Sequence, residues 1–517
     1  TWRRLWEIIS ENRRLKENMD MKRSLFLATL CFFVCGAALH AAPASSAKNA
    51  EGFDIRVKVN HYPDSMNHLL LLGRYNWSAQ YITYTAVYDA KSKTYVFSGP
   101  TRKEGGMYLL ITADHQYVDF IFDQDQHIGI EVDYPNMYST IKFKDSPENE
   151  VYQAFAELGK EDYGKMNRLQ NEYKEAEEAH DSLKQKTLRE EINSLYDKME
   201  KDREDFAANN PGNLMSSIFT AQKDPVVPDA PEDVPEGEKR LWQYEYYKNH
   251  YFDNYDLCDD RLLRTPLFYQ RVKNFHDKVL YMQSPDSIKY AWERLIDKAE
   301  CNKEMFKMLV WYPVDEYQRS EIIGQDAIWV YLAKKYYLGG KAYWASNAIV
   351  ENFRKRIERV EPLLIGNTPK EFYCPDTTIG QPNQNWVSVF SSPKRYSVII
   401  FWSLTCGHCK KAMPLWHKLY EEKGKTLDFE VFAVCKDFDV PAWKNYIRDH
   451  NLLGWVNLNG KESNLDYNDA WDITTTPTVY VVDRQNRIVT KKIEPDYLED
   501  FLKNWQRTYY PDEVYPR

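Results

Sequence analysis

From Phe53 the chain alternates apolar and polar positions. In FDIRVKVN, Ile55, Val57 and Val59 are separated by charged residues, the period of a strand with one buried face. HLLLLGRY, KTYVFSG, GMYLLIT, YVDFIFD, HIGIEVDY and STIKFKD follow at short intervals, with Gly, Asp, Asn and Pro between them. Short strands at this spacing predict an all-β, sandwich-like domain over residues 50–146. At Pro147 the period becomes helical. Val151, Phe155 and Leu158 form one stripe and Ile192, Leu195 and Met199 another, in a densely charged run that ends at Asn210-Pro211-Gly212. The charges read as a solvated face, so a helical hairpin is predicted, with a long coiled coil as the alternative. Gly159 and Gly164 mark its expected break. DPVVPDAPEDVPEGE (224–238), dense in prolines and acids, reads as an exposed loop. Helical sequence resumes to about Arg359, and its ring clusters (WQYEYYKNHYF, IKYAWERLI, IWVYLAKKYY) read as helix-packing surface. A helical domain is thus expected over 147–360.

GNTPKEFYCPDTTIGQ (366–381) resets the chain and opens a third domain, 366–517. Strands are predicted at 396–402, 428–434, 478–482 and 487–491, and helices at 408–422, 441–450 and 497–505. Such alternation predicts an α/β sheet covered on both faces. The expected fold class is multidomain α+β: sandwich-like, then helical, then α/β. The length of 517 residues agrees with roughly three domains.

Charge narrows the partners. A net charge of −9 without an extended basic tract argues against nucleic acid. From Met21 the chain reads MKRSLFLATLCFFVCGAALHAAPASSA: Lys22 and Arg23, an apolar stretch, then small residues. That pattern predicts a secretory signal at 21–44, cleaved after Ala41, Ala42 or Ala44, and too short and wrongly flanked to span a membrane. Residues 1–20 read as a mis-called upstream segment. A lipoprotein anchor at Cys35 is the competing reading, but Phe32-Phe33-Val34 lacks the small residue expected before a lipidated cysteine. The expected location is the periplasm or cell envelope. Cys31 and Cys35 leave with the signal. Cys258, Cys301, Cys374, Cys406, Cys409 and Cys435 remain, too sparse for a disulfide framework. Cys258 and Cys301 either pair or stay as two buried thiols.

The chemistry centres on FWSLTCGHCKKAMP (401–414). A predicted strand, a turn and CxxC at a helix start place Cys406 where unpaired backbone N–H groups and the helix dipole favour a negative sulfur. Cys409 lies one turn deeper on the same face. Cys406 is therefore the candidate nucleophile and Cys409 the resolving thiol, with His408 placed to stabilise the Cys406 thiolate. Zinc needs four ligands and CxxC supplies two; Cys374, Cys435 and His417 lack ligand spacing, so no metal or other cofactor is expected. A purely structural disulfide closing so short a loop would stabilise little.

Downstream, ITTTPTVYVVDRQNRIV (473–489) sets Thr476-Pro477 just before a strand. With Phe401-Trp402, CGHC and Pro414, this makes residues 366 to about 505 resemble the thioredoxin superfamily. The nearest subfamily resembled is the TlpA-like envelope thiol–disulfide oxidoreductases. The whole chain is similar to secreted Gram-negative proteins with a β-rich, then helical, N-terminal half. The resemblance implies a cis Thr476–Pro477 bond, and Trp402, Thr476 and Pro477 as substrate-binding residues that accept an extended segment. It also implies disulfide-containing envelope proteins as substrates and a membrane electron donor. Two departures stand out. Thioredoxins carry a buried acid where this chain has Ile400, and TlpA-like proteins often carry a glutamate where it has Ala412. Water, His408 or an acid such as Glu430 then has to take the Cys409 proton. Cys435 reads either as an extra thiol near the pair or as a buried strand residue.

The expected function is extracytoplasmic thiol–disulfide exchange, reductase or isomerase rather than oxidant. The alternative is a redox-weak binding module that docks an envelope partner through its N-terminal half. A homo-oligomer is compatible with either.

Overall fold

The computed structural model describes residues 52–281 and 283–510. The upstream stretch, the signal segment, Cys31 and Cys35 lie outside the described residues. The chain forms two compact units, Thr1–Tyr281 and Met282–Arg517. The division falls inside the helical stretch rather than at its two ends. Buried polar ties explain why. Arg261 pairs with Asp123 at 2.6 Å, binding the early helical region to the β-rich part. Lys491 donates to the Leu363 carbonyl at 2.6 Å and pairs with Asp326, binding the late helices to the C-terminal sheet.

In the first unit two sheets share one core. Strands β1 (Phe53–Asn60), β2 (Leu70–Asn76), β3 (Ala79–Thr85), β4 (Val87–Asp89), β5 (Thr94–Gly99), β6 (Gly106–Thr112), β7 (Tyr117–Phe122), β8 (His127–Asp133) and β9 (Lys142–Lys144) assemble in the orders β4-β5-β1-β8-β9 and β3-β2-β6-β7. Ile55, Val57, Phe97 and Ile130 of one sheet meet Leu72, Leu110 and Phe120 of the other in that core. β3 and β4 were not foreseen. The β2–β3 hairpin turns through Trp77 at φ 56°, held by its N–H to the Leu263 carbonyl (3.1 Å), so tertiary contact replaces a local turn signal.

Helices α1 (Pro147–Glu178) and α2 (Ser182–Asn209) form the expected hairpin. Gly159 and Gly164 lie inside α1, since an isolated helical glycine costs only about 1 kcal/mol. The chain turns instead at His180 (φ 54°), where the Asp181 carboxylate accepts from the Lys184 N–H and caps α2. Val151 and Leu158 are exposed, Leu158 at 83 %, so of the Val151–Phe155–Leu158 stripe only Phe155 packs inward. The buried face is set by Phe155 against Phe206 and Phe219, and beyond it by Met166, Leu169 and Tyr173 against Leu188 and Leu195. Helices α3 (Leu214–Ala221), α4 (Lys239–His250) and α5 (Pro266–Asn274) complete the unit, and residues 224–238 between them form neither helix nor strand.

The second unit opens with α6 (Pro285–Lys298), α7 (Lys303–Arg319), α8 (Asp326–Leu332) and α9 (Asn347–Val360). Trp292, Trp329 and Tyr336 are fully buried among these helices, the packing role expected of the ring clusters. A short hairpin, β10 (Tyr373–Pro375) with β11 (Trp386–Ser388), precedes the main sheet. That sheet comprises β12 (Tyr396–Trp402), β13 (Phe429–Cys435), β14 (Val456–Asn459), β15 (Thr478–Asp483) and β16 (Ile488–Lys491) in the order β14-β13-β12-β15-β16. β12, β13 and β14 run parallel; β15 and β16 add antiparallel. Its helices are α10 (Gly407–Lys423), α11 (Val440–Asp449) and α12 (Pro495–Tyr509). Every residue of YSVIIFW in β12 is buried, as a central strand covered on both faces requires. Val398, Ile400 and Trp402 pack under Met413, Trp416, Trp443, Leu498 and Leu502 of the three helices. Ile399 and Phe401 meet Phe372, Tyr467 and Trp471 on the other face. The architecture is the expected multidomain α+β one.

Candidate active site

The site lies at the carboxyl ends of β12 and β13, where the central parallel strands end and the first helix begins. β12 stops at Trp402 in register with Cys435 of β13. Three residues of turn lead to Cys406, the N-cap of α10, with extended backbone (φ −80°, ψ 117°). In place of the usual Ser or Asp oxygen, the Cys406 sulfur accepts the Cys409 backbone N–H at 3.4 Å. The Cys406 amide in turn donates to the Ser403 carbonyl at 3.3 Å.

The two cysteines differ sharply. Cys406 is partly exposed, whereas Cys409 is 1 % exposed beneath it among Trp402, Met413 and Cys435. Burial works against ionising Cys406. The Thr476 side chain, the N–H and thiol of Cys409 and the N–H of His408 outweigh it and hold this thiol below its ordinary range. While protonated, the Cys406 thiol donates to the Thr476 carbonyl at 3.1 Å, which ties up the proton but not the thiolate. Burial pushes the Cys409 thiol up to about 11, reinforced by the Cys406 sulfur and opposed by the Ser403 amide and Thr476. An easily ionised outer thiol above a reluctant inner one is the division of labour a dithiol exchanger uses.

The Thr476–Pro477 bond is cis, and both residues are half-buried beside Cys406 at the entry to β15. His408 is exposed, and its backbone N–H is the group that supports the Cys406 sulfur. Trp402 is only 1 % exposed, with its ring 4.9 Å from that of Tyr446. It therefore underlies the site rather than lining it, because its side chain points to the face covered by α10 and α11.

The structure also settles where the acids stand. Ile400 is fully buried and Ala412 half-buried, so neither supplies a proton acceptor. Glu430 accepts from the Tyr420 hydroxyl at 3.0 Å and pairs with Ser397, five residues down β13 from Cys435. That places it roughly 17 Å along the strand from the cysteines, out of reach. The carboxylate that does reach the site is Asp437, which sequence reasoning passed over. Its Oδ2 accepts the Leu404 N–H at 2.5 Å and its Oδ1 the Ser403 hydroxyl at 3.1 Å. The Cys435 thiol points at Oδ2 from 3.5 Å. An acidic residue two positions past the end of a parallel strand, at the sheet end where α/β proteins bind ligands, was the available signal.

Cys435 and Cys374 are fully buried thiols. Burial raises both; Cys374 reaches about 12, and Cys435 is raised further by Asp437 and Cys409. Cys258 and Cys301 are exposed and disulfide-bonded, not buried free thiols. Among the described residues no group of three or more His, Cys, Asp or Glu could hold a metal ion, and no helix is long and apolar enough to cross a membrane.

Comparison with known proteins places residues 394–488 in a match to a thioredoxin-like family, and residues 181–335 in a match to a domain of unknown function. A comparison with curated proteins found no match. Among solved structures, a thioredoxin-like protein from Bacteroides caccae ATCC 43185 is 16 % identical, with 55 % of this chain and 99 % of that one covered at a TM-score of 0.41. A domain of a possible thiol-disulfide isomerase from Cytophaga hutchinsonii ATCC 33406 is 28 % identical, covering 29 % and 99 %, at 0.26. A thiol-disulfide oxidoreductase from Bacteroides fragilis NCTC 9343 is 21 % identical, covering 27 % and 99 %, at 0.24.

Proposed function

We propose that this protein is an extracytoplasmic thiol–disulfide oxidoreductase. Cys406 attacks a substrate disulfide as thiolate, and Cys409 resolves the mixed disulfide, leaving a Cys406–Cys409 bond. One observation carries the reading: the Cys406 sulfur caps α10, accepts the Cys409 N–H at 3.4 Å, and has the buried Cys409 beneath it. The half-buried Thr476–Pro477 edge beside it offers backbone groups to an extended substrate segment. Disulfide-containing envelope proteins are the proposed substrates, with electrons drawn from a membrane donor and net flow in the reducing or isomerising direction. The signal-like segment at 21–44 supports an envelope location.

A Cys409→Ser variant tests this, since it stalls the reaction after the first step. It is expected to accumulate mixed disulfides through Cys406, visible as reducible adducts of the variant in envelope extracts. Their absence, together with no insulin reduction by the wild type, removes the proposal. The absence of an acid at Ile400 and Ala412 favours a second reading, a binding module with weak redox chemistry. Full complementation of a deletion strain by a Cys406→Ser/Cys409→Ser variant would select it.

A further inference from the structure

Between the end of β12 and the cap of α10 the chain turns through Ser403, Leu404 and Thr405. The turn presents the N–H groups of residues 404, 405 and 406, which neither the strand nor the helix satisfies. Each finds an acceptor, and the chain of bonds leads to one side chain. The Leu404 N–H donates to Asp437 Oδ2 at 2.5 Å. The Thr405 N–H donates to the Ser403 hydroxyl oxygen at 3.2 Å, and that hydroxyl donates to Asp437 Oδ1 at 3.1 Å. The Cys406 N–H donates to the Ser403 carbonyl at 3.3 Å. Asp437 is set there by the sheet. The Lys436 N–H donates to the Trp402 carbonyl at 2.9 Å, one step past the last β12–β13 register pair, and the Asn459 side-chain amide donates to the Asp437 carbonyl at 3.3 Å. The Cys435 thiol donates to Oδ2 from 3.5 Å. A charged acceptor gives shorter and stronger hydrogen bonds than a neutral one, so this carboxylate is the firmest anchor the turn has.

We infer that Asp437 is a positioning residue for Cys406: by fastening the 403–405 turn to the end of β13, it holds the Cys406 sulfur in its capping place on α10. The inference rests on the exchange reading above for the step it serves. In that step the Cys406 thiolate attacks one sulfur of a substrate disulfide. The substrate S–S bond breaks, a bond from Cys406 to the substrate forms, and the other substrate sulfur departs with the electron pair. The attacking sulfur sits between two fixed partners, the Cys409 N–H at 3.4 Å and the Thr476 carbonyl at 3.1 Å. It can do so only while Cys406 keeps the extended backbone of a cap residue, φ −80° and ψ 117°. Once the turn opens, that backbone relaxes and the sulfur loses the N–H that supports its negative form. Anchoring and charge act here with opposite signs. A bare negative charge near Cys406 disfavours the thiolate, so its removal would help ionisation, whereas removal of an anchor hinders it. Besides Asp437, the titratable groups around the turn are His408, Cys409 and Lys410 in the first turn of α10, Cys435 and Lys436 at the end of β13, and Tyr446 on α11. Residues 473–478 on the Thr476 side contribute none.

Alkylation of the reduced protein by iodoacetamide, followed at the Cys406 peptide across pH, reads the thiolate directly. Asp437→Ala is expected to raise the pH midpoint by about one unit, the size of one lost capping hydrogen bond, and to slow alkylation about tenfold below that midpoint. Asp437→Asn, which keeps an oxygen for one of the two bonds, should raise it about half as much, and it carries the test if the alanine variant fails to fold. Ser403→Ala cuts the next link in the same chain of bonds. Its rise should therefore overlap with that of Asp437→Ala in the double variant rather than add to it. A midpoint that falls in both Asp437 variants would mark a bare charge effect, and a lower melting temperature with midpoints unmoved a purely structural one. Either result, or fully additive shifts, overturns the inference. The Cys409→Ser trap judges the exchange reading independently, so the two fail separately.

Discussion

Alkali should destabilise the reduced protein, and Cys409 should carry a measurable share of that loss. Its thiol is 1 % exposed, and burial lifts it from 9.0 to about 11. Between those values the unfolded chain has lost a proton that the native chain keeps. Stability is therefore complete below the unfolded value and falls as pH rises toward the folded one. At about pH 10, one unit past the unfolded value, the Cys409 share of the loss is about 1.4 kcal/mol. Cys374 and Cys435 are raised as well and act with the same sign. Cys406 is depressed and acts with the opposite sign, adding stability as pH rises through the range where the unfolded thiol still holds its proton. These thiols remain in a Cys409→Ala variant, where Cys406 loses the Cys409 thiol that helps depress it and Cys435 the Cys409 charge that helps raise it, so the comparison of the two proteins reports Cys409 together with its coupling to them. The assay is urea unfolding of both proteins, kept reduced, at about pH 7.5 and about pH 10. Wild type is expected to lose about 1.4 kcal/mol more than the variant over that interval. Equal losses would mean that Cys409 titrates like an unfolded thiol, and the argument from its burial would fail.

Three further outcomes follow from the same geometry. Iodoacetamide near neutral pH should modify Cys406 and spare Cys374, Cys409 and Cys435, as peptide mapping can show, because only Cys406 is both accessible and held below its ordinary range. Glu430→Gln should leave insulin reduction at the wild-type rate, since this carboxylate serves Tyr420 and not the cysteines; a loss of activity would restore it as the proton acceptor. Lys491→Met should lower unfolding stability by about 2–3 kcal/mol in denaturant titration, because Lys491 is 8 % exposed and its loss leaves Asp326 and the Leu363 carbonyl without their shared partner.

Much of this site could be read from residues that are neighbours in sequence. Cys406 and Cys409 sit three apart behind an apolar strand, so strand period, turn and helix start are enough to locate both. Thr476-Pro477 was legible only through a family resemblance, because nothing local brings residues seventy positions apart together. Asp437 was illegible for the same reason: its role depends on the parallel pairing of β12 with β13, which sets Trp402 beside Cys435. Trp402 was expected to bind substrate only through the family resemblance, whereas the sheet's two-residue period turns it inward with Val398 and Ile400. In the first unit β3 escaped because its turn is made by Trp77 and distant packing rather than by Gly or Asn. β14 is only four residues long, too short for the apolar–polar alternation of VNLN to mark it. The helical division was hidden because buried pairs such as Arg261–Asp123 leave no periodic trace.

The most direct measurement is redox titration of the vicinal thiols. The protein is equilibrated in glutathione buffers of graded potential, quenched with acid, alkylated, and the peptide holding Cys406 and Cys409 weighed. A single two-electron transition, with both thiols disappearing together, is predicted. Two cysteines that stay alkylatable at every potential, or that take up glutathione separately without joining, would contradict it.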